Sequence, residues 1–132
     1  MTSWSARKPV AVAALVVGLL VPLLPTGAVA AAPQEFTEQA NRVDGSNYLV
    51  GRVTPDGVER LVRYQRRWCS SCAWKPYDVV RTGPDGRFRI RIDIPRTARP
   101  TWRYRGYVAA TATHERTEGR VWLACARETC RR

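Results

Sequence analysis

From Asn47 onward, apolar and polar positions alternate with a period of two, and turn residues cut the alternation at short intervals. The stretch Arg87-Phe88-Arg89-Ile90-Arg91-Ile92-Asp93-Ile94 is the plainest case. It places Phe88, Ile90, Ile92 and Ile94 on one face and four charges on the other. The same reading predicts strands over Tyr48 to Val53, Glu59 to Arg66, Tyr77 to Thr82, Trp102 to Ala110 and Gly119 to Ala124. Pro55-Asp56-Gly57 and Gly83-Pro84-Asp85-Gly86 supply turns with a preset φ and a glycine able to take φ > 0, and Pro95 to Pro100 forms a connection. No window carries a 3.6-residue period. Short strands at these intervals imply an all-β sandwich or small barrel of about six to seven antiparallel strands. The alternation puts Phe88, Ile90, Ile92, Val121, Leu123 and one of Trp74 or Trp102 together in the core.

The residues before Asn47 behave differently. Residues 1–30 have the three parts of a secretory signal peptide. Arg7 and Lys8 make a positive start, Val10 to Val21 a twelve-residue apolar run too short to span a ~30 Å hydrocarbon core, and Ala28-Val29-Ala30 a cleavage site. Cleavage after Ala30 gives a released protein that does not stay in the membrane. Residues 31–46 are polar, contain Pro and Gly, and read as a flexible linker that Phe36 pins loosely. Residues 47–132 form the folded domain, one modest core and no more.

The motifs "GRVTPDG", the aromatic Trp74 ahead of "DVVRTGPDGRFRIRI", and "TWRYRGYVAAT" resemble the small secreted Ig-like or prealbumin-like sandwiches of bacteria, which include the carboxypeptidase-regulatory-like domains. In those, a G-x-V-T strand leads a turn, a T-D-x-D-G-R-F hairpin joins the next pair, and a G-T-[WY]-x-Y-R strand follows a Pro-rich bend. The resemblance covers Tyr48 to Ala124. Gly83-Pro84 and Arg99-Pro100 depart from it, and the family's A-x-V-x-L strand is weakened to Arg60-Leu61-Val62-Arg63-Tyr64. It implies the fold and brings no catalytic residues; such domains hold something or present a surface.

Four cysteines in an exported chain favour disulfides over metal thiolates. Trp68-Cys69-Ser70-Ser71-Cys72 carries the W-C-x-x-C signature of thioredoxins, whose chemistry needs the first cysteine at a helix N-terminus. Pro76 follows four residues beyond Cys72, and no amphipathic helix continues from there. Strand parity puts Cys69, Cys72, Cys125 and Cys130 at one end of the sandwich. Local pairs (Cys69–Cys72, Cys125–Cys130) stabilise by roughly 2 kcal/mol each, and crossed pairs by roughly 4 kcal/mol each. Chain entropy favours crossing, ease of closure favours local pairs, and the reading leans to local pairs. The lone His114 reads as a solvent-exposed loop histidine. Asp56 and Asp85 read as turn residues, and Asp93 as part of a charged strand face. Neither a cofactor nor a metal site is expected.

The whole chain is formally +11 at pH 7. Without Arg7 and Lys8 it keeps 19 arginines, Lys75 and 11 acidic residues, or +9. A GC-rich coding bias explains the excess of Arg over Lys. Arg87, Arg89 and Arg91 share one strand face, as do Arg103 and Arg105; they read first as an ordinary solvated face that keeps exposed strands apart, and, were the two strands neighbours, five guanidinium groups would form a ladder for phosphate, sulfate or carboxylate oxygens. Trp102 and Tyr104 alternate with the second set and face the core. The leading expectation is a secreted, monomeric, non-catalytic binding module at or near the cell surface. Its candidate partners are an anionic wall polymer, a polysaccharide or another extracellular protein, with no specific nucleic acid among them. The alternatives are an exported thiol–disulfide oxidoreductase using Cys69 and Cys72, and a small extracellular inhibitor.

Overall fold

A computed structural model describes residues 27, 29–97, 101–126 and 130. The expected signal peptide, apart from Gly27, Val29 and Ala30, lies outside the described residues, as do Arg99 and Pro100. The fold is all-β. Its strands are β1 (Glu35–Val43), β2 (Ser46–Thr54), β3 (Leu61–Arg67), β4 (Lys75–Arg81), β5 (Arg87–Ile92), β6 (Trp102–Val108), β7 (Thr117–Glu118) and β8 (Trp122–Ala124). Sheet one has the order β1-β2-β5. Sheet two runs β4-β3-β6, with β7 and β8 both pairing β6 on its far side, and every strand pair is antiparallel. The sheets meet along both sides, β4 lying against β5 and β1 against β7.

The alternation works as expected in the long strands. Leu49 and Val53 of β2, Val62 and Tyr64 of β3, Phe88, Ile90 and Ile92 of β5, and Tyr104 and Val108 of β6 are buried together. Phe36 stacks on Phe88 with centroids 5.3 Å apart, and Tyr77 meets Tyr104 edge-on at 5.0 Å. Trp102 is half-buried against this core.

Three expectations are corrected. The linker is instead largely strand: β1 pairs with β2 along its whole length, from Glu35↔Thr54 to Val43↔Ser46. Its inward row is Phe36, Glu38, Ala40 and Arg42, which shows no apolar period because two of the four are charged. The last strand is broken and its face reversed. Trp122 lies opposite the buried Tyr104 and Ala124 opposite Trp102, so Trp122 and Ala124 face inward, while Val121 is exposed and Leu123 only half-buried. The break falls after Gly119, which still donates its N–H to Gly106 O at 2.9 Å and where a Cβ would collide with the Glu38 carboxylate and the Phe36 ring. Finally, His114 is buried: Ala32 runs beside it in a parallel bridge, with Ala32 N–H donating to Thr113 O at 2.8 Å and Glu115 N–H to Ala32 O at 2.9 Å. Its Nε2 lies 3.4 Å from the Asp56 carboxylate.

The two turn glycines meet at one carbonyl. Gly86 takes φ +77°, as its turn requires, and both Gly57 and Gly86 pack where a Cβ would strike Val53 O. The left-handed position in the first turn falls instead on Asp56, at φ 53°.

Ile90, 3% exposed in the centre of β5, tests the packing. Ile90→Ala is expected to lower unfolding stability by about 2–5 kcal/mol in a denaturant titration, through lost transfer energy and a cavity. A loss below about 0.5 kcal/mol, the level of an exposed-surface change, would contradict this assignment.

Candidate functional site

The outward side of sheet two collects arginines around one tryptophan. On β3, Val62 and Tyr64 point into the core, so Arg63, Gln65 and Arg67 point out. On β6, Tyr104, Gly106 and Val108 point in, leaving Arg103, Arg105 and Tyr107 outside. The antiparallel register sets Arg63 opposite Tyr107, Gln65 opposite Arg105, and Arg67 opposite Arg103. Trp74, on the loop ahead of β4, lies against two of these cations. The Arg67 guanidinium is 4.6 Å from its ring centroid and that of Arg105 is 4.4 Å. Arg105 Nε–H donates to Gln65 Oε1 at 2.8 Å, and Arg67 Nε is a buried donor without a partner among the described residues. At the far end of the row, Arg116 stacks on Tyr107 at 3.9 Å and pairs with Glu118 at 2.6 Å. Glu118 is also 4.0 Å from Arg105.

A guanidinium stacked on an indole uses its flat face and leaves its N–H edge for a ligand. Arg67, Arg103 and Arg105 are half-buried, so part of the entropy of fixing them is already lost before any ligand arrives. This is what the face contributes chemically: oriented donors, fixed positive charge and an aromatic plane.

The other candidate arginines lie elsewhere. Arg87, Arg89 and Arg91 point out from sheet one, where β5 pairs with β2, while Arg103 and Arg105 belong to β6 of sheet two, so the five-membered ladder does not form. The two sets project in opposite directions from a shared core. Arg87, Arg89 and Arg91 are exposed; Arg87 pairs with Asp85 at 3.2 Å and Arg89 sits over Tyr48 at 3.7 Å. Arg52, opposite Arg87, donates to Asp85 O at 2.8 Å. Sheet one therefore offers a solvated basic face, and sheet two a braced one.

Both disulfides are local, Cys69 to Cys72 and Cys125 to Cys130. The register places them at one end: Arg67 at the end of β3 meets Arg103, which meets Leu123 just before Cys125. The Cys69–Cys72 bridge sits in the β3–β4 loop and leads into a strand, not a helix. It ties down the loop carrying Trp68 and Trp74. Trp68 faces other cations, Arg66 at 5.3 Å and Lys75 at 5.0 Å.

A carboxylate that sequence patterning missed lies between the sheets. Glu38 of β1 accepts from the Tyr64 hydroxyl, from Trp122 Nε1–H at 3.2 Å, and from the Arg120 backbone N–H. Burial pushes its carboxyl above the ordinary range, and these donors pull it only partly back. Burial and the adjacent carboxylate also push the Tyr64 phenol up. Trp74, Arg63, Gln65 and Arg67 were likewise missed, although the alternation of Arg63, Gln65 and Arg67 with Val62 and Tyr64 is visible in the sequence. Among the described residues no three His, Cys, Asp or Glu side chains gather as a metal site. Comparison with protein-family models, curated proteins and solved structures returns no match.

The raised Glu38 fixes a direction of pH dependence. The native carboxyl holds its proton to higher pH than the unfolded one, whose value is near 4.5, so the native state binds more protons in between. The stability it contributes is full below that value and is lost as pH rises through the folded value. Thermal melts of the natural chain and Glu38→Gln from pH 4 to 7 should show the natural chain losing stability relative to the variant as pH rises. A natural chain that holds or gains stability relative to the variant as pH rises would show that the carboxyl is not raised.

Proposed function

We propose that the chain is an exported, non-catalytic β-sandwich module that binds an anionic polysaccharide through the outer face of sheet two. One observation carries the reading: Trp74 braces both Arg67 and Arg105 while Gln65 fixes the Arg105 fork. Paired, oriented guanidinium groups suit carboxylate or phosphate oxygens repeated along a polymer. The indole of Trp74, lying against both cations, holds the two forks at a fixed spacing for such a repeat. The excess of positive charge steers such a polymer to the surface. In this reading the module is related to the secreted Ig-like and prealbumin-like domains that its turn and strand motifs resemble. The Cys69–Cys72 bridge then acts as a brace for the Trp74 loop. Glu38, already accepting from three donors, is a structural carboxyl.

Affinity electrophoresis in gels containing alginate, a polyuronate, tests the site. Retardation is expected, and it should fall as salt shortens the screening length to ~8 Å at physiological ionic strength. Replacing Arg67 and Arg105 with Gln should weaken retardation about tenfold or more, the scale of losing charge-assisted hydrogen bonds. Replacing Arg87, Arg89 and Arg91 with Gln should have the smaller effect. The reverse ranking would move the site to sheet one, and turnover in an insulin-reduction assay dependent on Cys69 would replace the binding reading with a redox one.

Export is tested separately, by N-terminal sequencing of the protein from culture supernatant. A start at Ala31 is the expected result; intact Met1 in the membrane fraction would refute release.

A further inference from the structure

Between the sheets, at the end where β1 and β2 turn into each other, the core opens to solvent. The opening is a cavity of about 270 Å³ whose floor is the core itself, Leu49 and Ile92, and whose walls are Ala40, Trp122 and Ala124. The Cys125–Cys130 bridge closes one side. Ala40 belongs to the inward row of β1 and yet is exposed, so the space it faces is reached from outside. The next residue in that inward row is Arg42, which also lines the cavity. Arg42 is exposed and has no acidic partner among the described residues. Asn47, its cross-strand neighbour, lines the same rim.

We propose that this cavity binds a small anionic amphiphile, an alkyl chain carrying a carboxylate. The chain enters between the sheets, and the head group stays at the rim against the Arg42 guanidinium and the Asn47 amide. Concave apolar pockets with a few polar groups that fix orientation are a recurrent ligand site. Size sets the chain length. A dry apolar cavity of ~150 Å³ takes a benzene-sized guest, so this one takes a chain on the order of ten carbons. Charge sets the head group, because a cation on an inward-facing row at an apolar mouth selects an anion over an alcohol. The site lies inside the sandwich and does not depend on the polysaccharide reading.

Titration calorimetry of the disulfide-bonded protein with hexanoate, octanoate and decanoate tests it. Saturable one-to-one binding is expected, tightening by up to roughly fourfold per methylene while the chain still fits. Trp122 in the wall should report the same event as a change in fluorescence. Arg42→Gln, at an exposed position that leaves the fold intact, should weaken octanoate about tenfold and leave octan-1-ol unchanged. Ala40→Trp should fill the mouth and abolish binding of both, with the melting curve showing whether the variant folds. Absence of saturable binding, or affinity independent of chain length, would overturn the proposal. Equal affinity of octanoate for the natural chain and Arg42→Gln would overturn the anionic head group.

Discussion

The hydrogen bond from the Tyr64 hydroxyl to the Glu38 carboxylate crosses from sheet two to sheet one, and much of the molecule is arranged around it. A carboxylate between two sheets is costly to desolvate unless its lone pairs are occupied. Here Trp122 Nε1–H and the Arg120 N–H occupy the others. Glycine at position 119 leaves room for that carboxylate, and Trp122 turns inward and donates to it. The same requirement makes β1 a working part of the core. A sandwich of this size closes with little apolar area to spare, so one polar latch across its β1 side decides which strands belong to the core.

The opposite side, where β4 meets β5, is held by a different polar centre. Asp93, just beyond β5, accepts at its backbone oxygen from the Tyr104 hydroxyl at 2.8 Å and at its carboxylate from the Tyr77 hydroxyl at 3.2 Å. Arg66 lies 3.8 Å from the same carboxylate and is ringed by Trp102, Tyr77 and Trp68 at 4.7, 4.9 and 5.3 Å. A cation so enclosed serves the fold, joining the end of β3 to the edge of sheet one. It also explains why Arg66 is absent from the basic face although its neighbours Arg67 and Gln65 belong to it: the side chains of adjacent strand residues leave on opposite sides.

Much of this was legible along the chain, and each failure has its own physical cause. β2, β3, β5 and β6 were readable because their inward rows are almost wholly apolar, as Phe88, Ile90 and Ile92 show. β1 was not, because its inward row contains Glu38 and Arg42, one acting as a latch and the other at a mouth. The phase of the last strand was lost between Gly119 and Trp122, where its pairing with β6 is interrupted and no local pattern records the interruption. The arginine ladder failed for a topological reason. The alternation says which residues share a face of one strand, but not which strand lies beside it. Only the order β1-β2-β5 against β4-β3-β6 separates Arg87, Arg89 and Arg91 from Arg103 and Arg105.

Strand order also resolves what composition leaves ambiguous. An excess of Arg over Lys across a whole chain is compatible with coding bias, and at solvated positions such as Arg63 and Arg91 either residue would carry the same charge into water. At positions 66, 67 and 105 the two are not equivalent. There the cation lies against an aromatic face and is partly withdrawn from water. A guanidinium tolerates that because its charge is delocalised, its hydration is weak and its plane matches the ring. A lysine ammonium in the same place would lose more hydration and present no fork to a ligand. A bias that is neutral over most of the surface thus becomes a physical requirement in two places. One is the enclosed cation that closes the sandwich. The other is the braced pair that gives its outer face a defined set of donors.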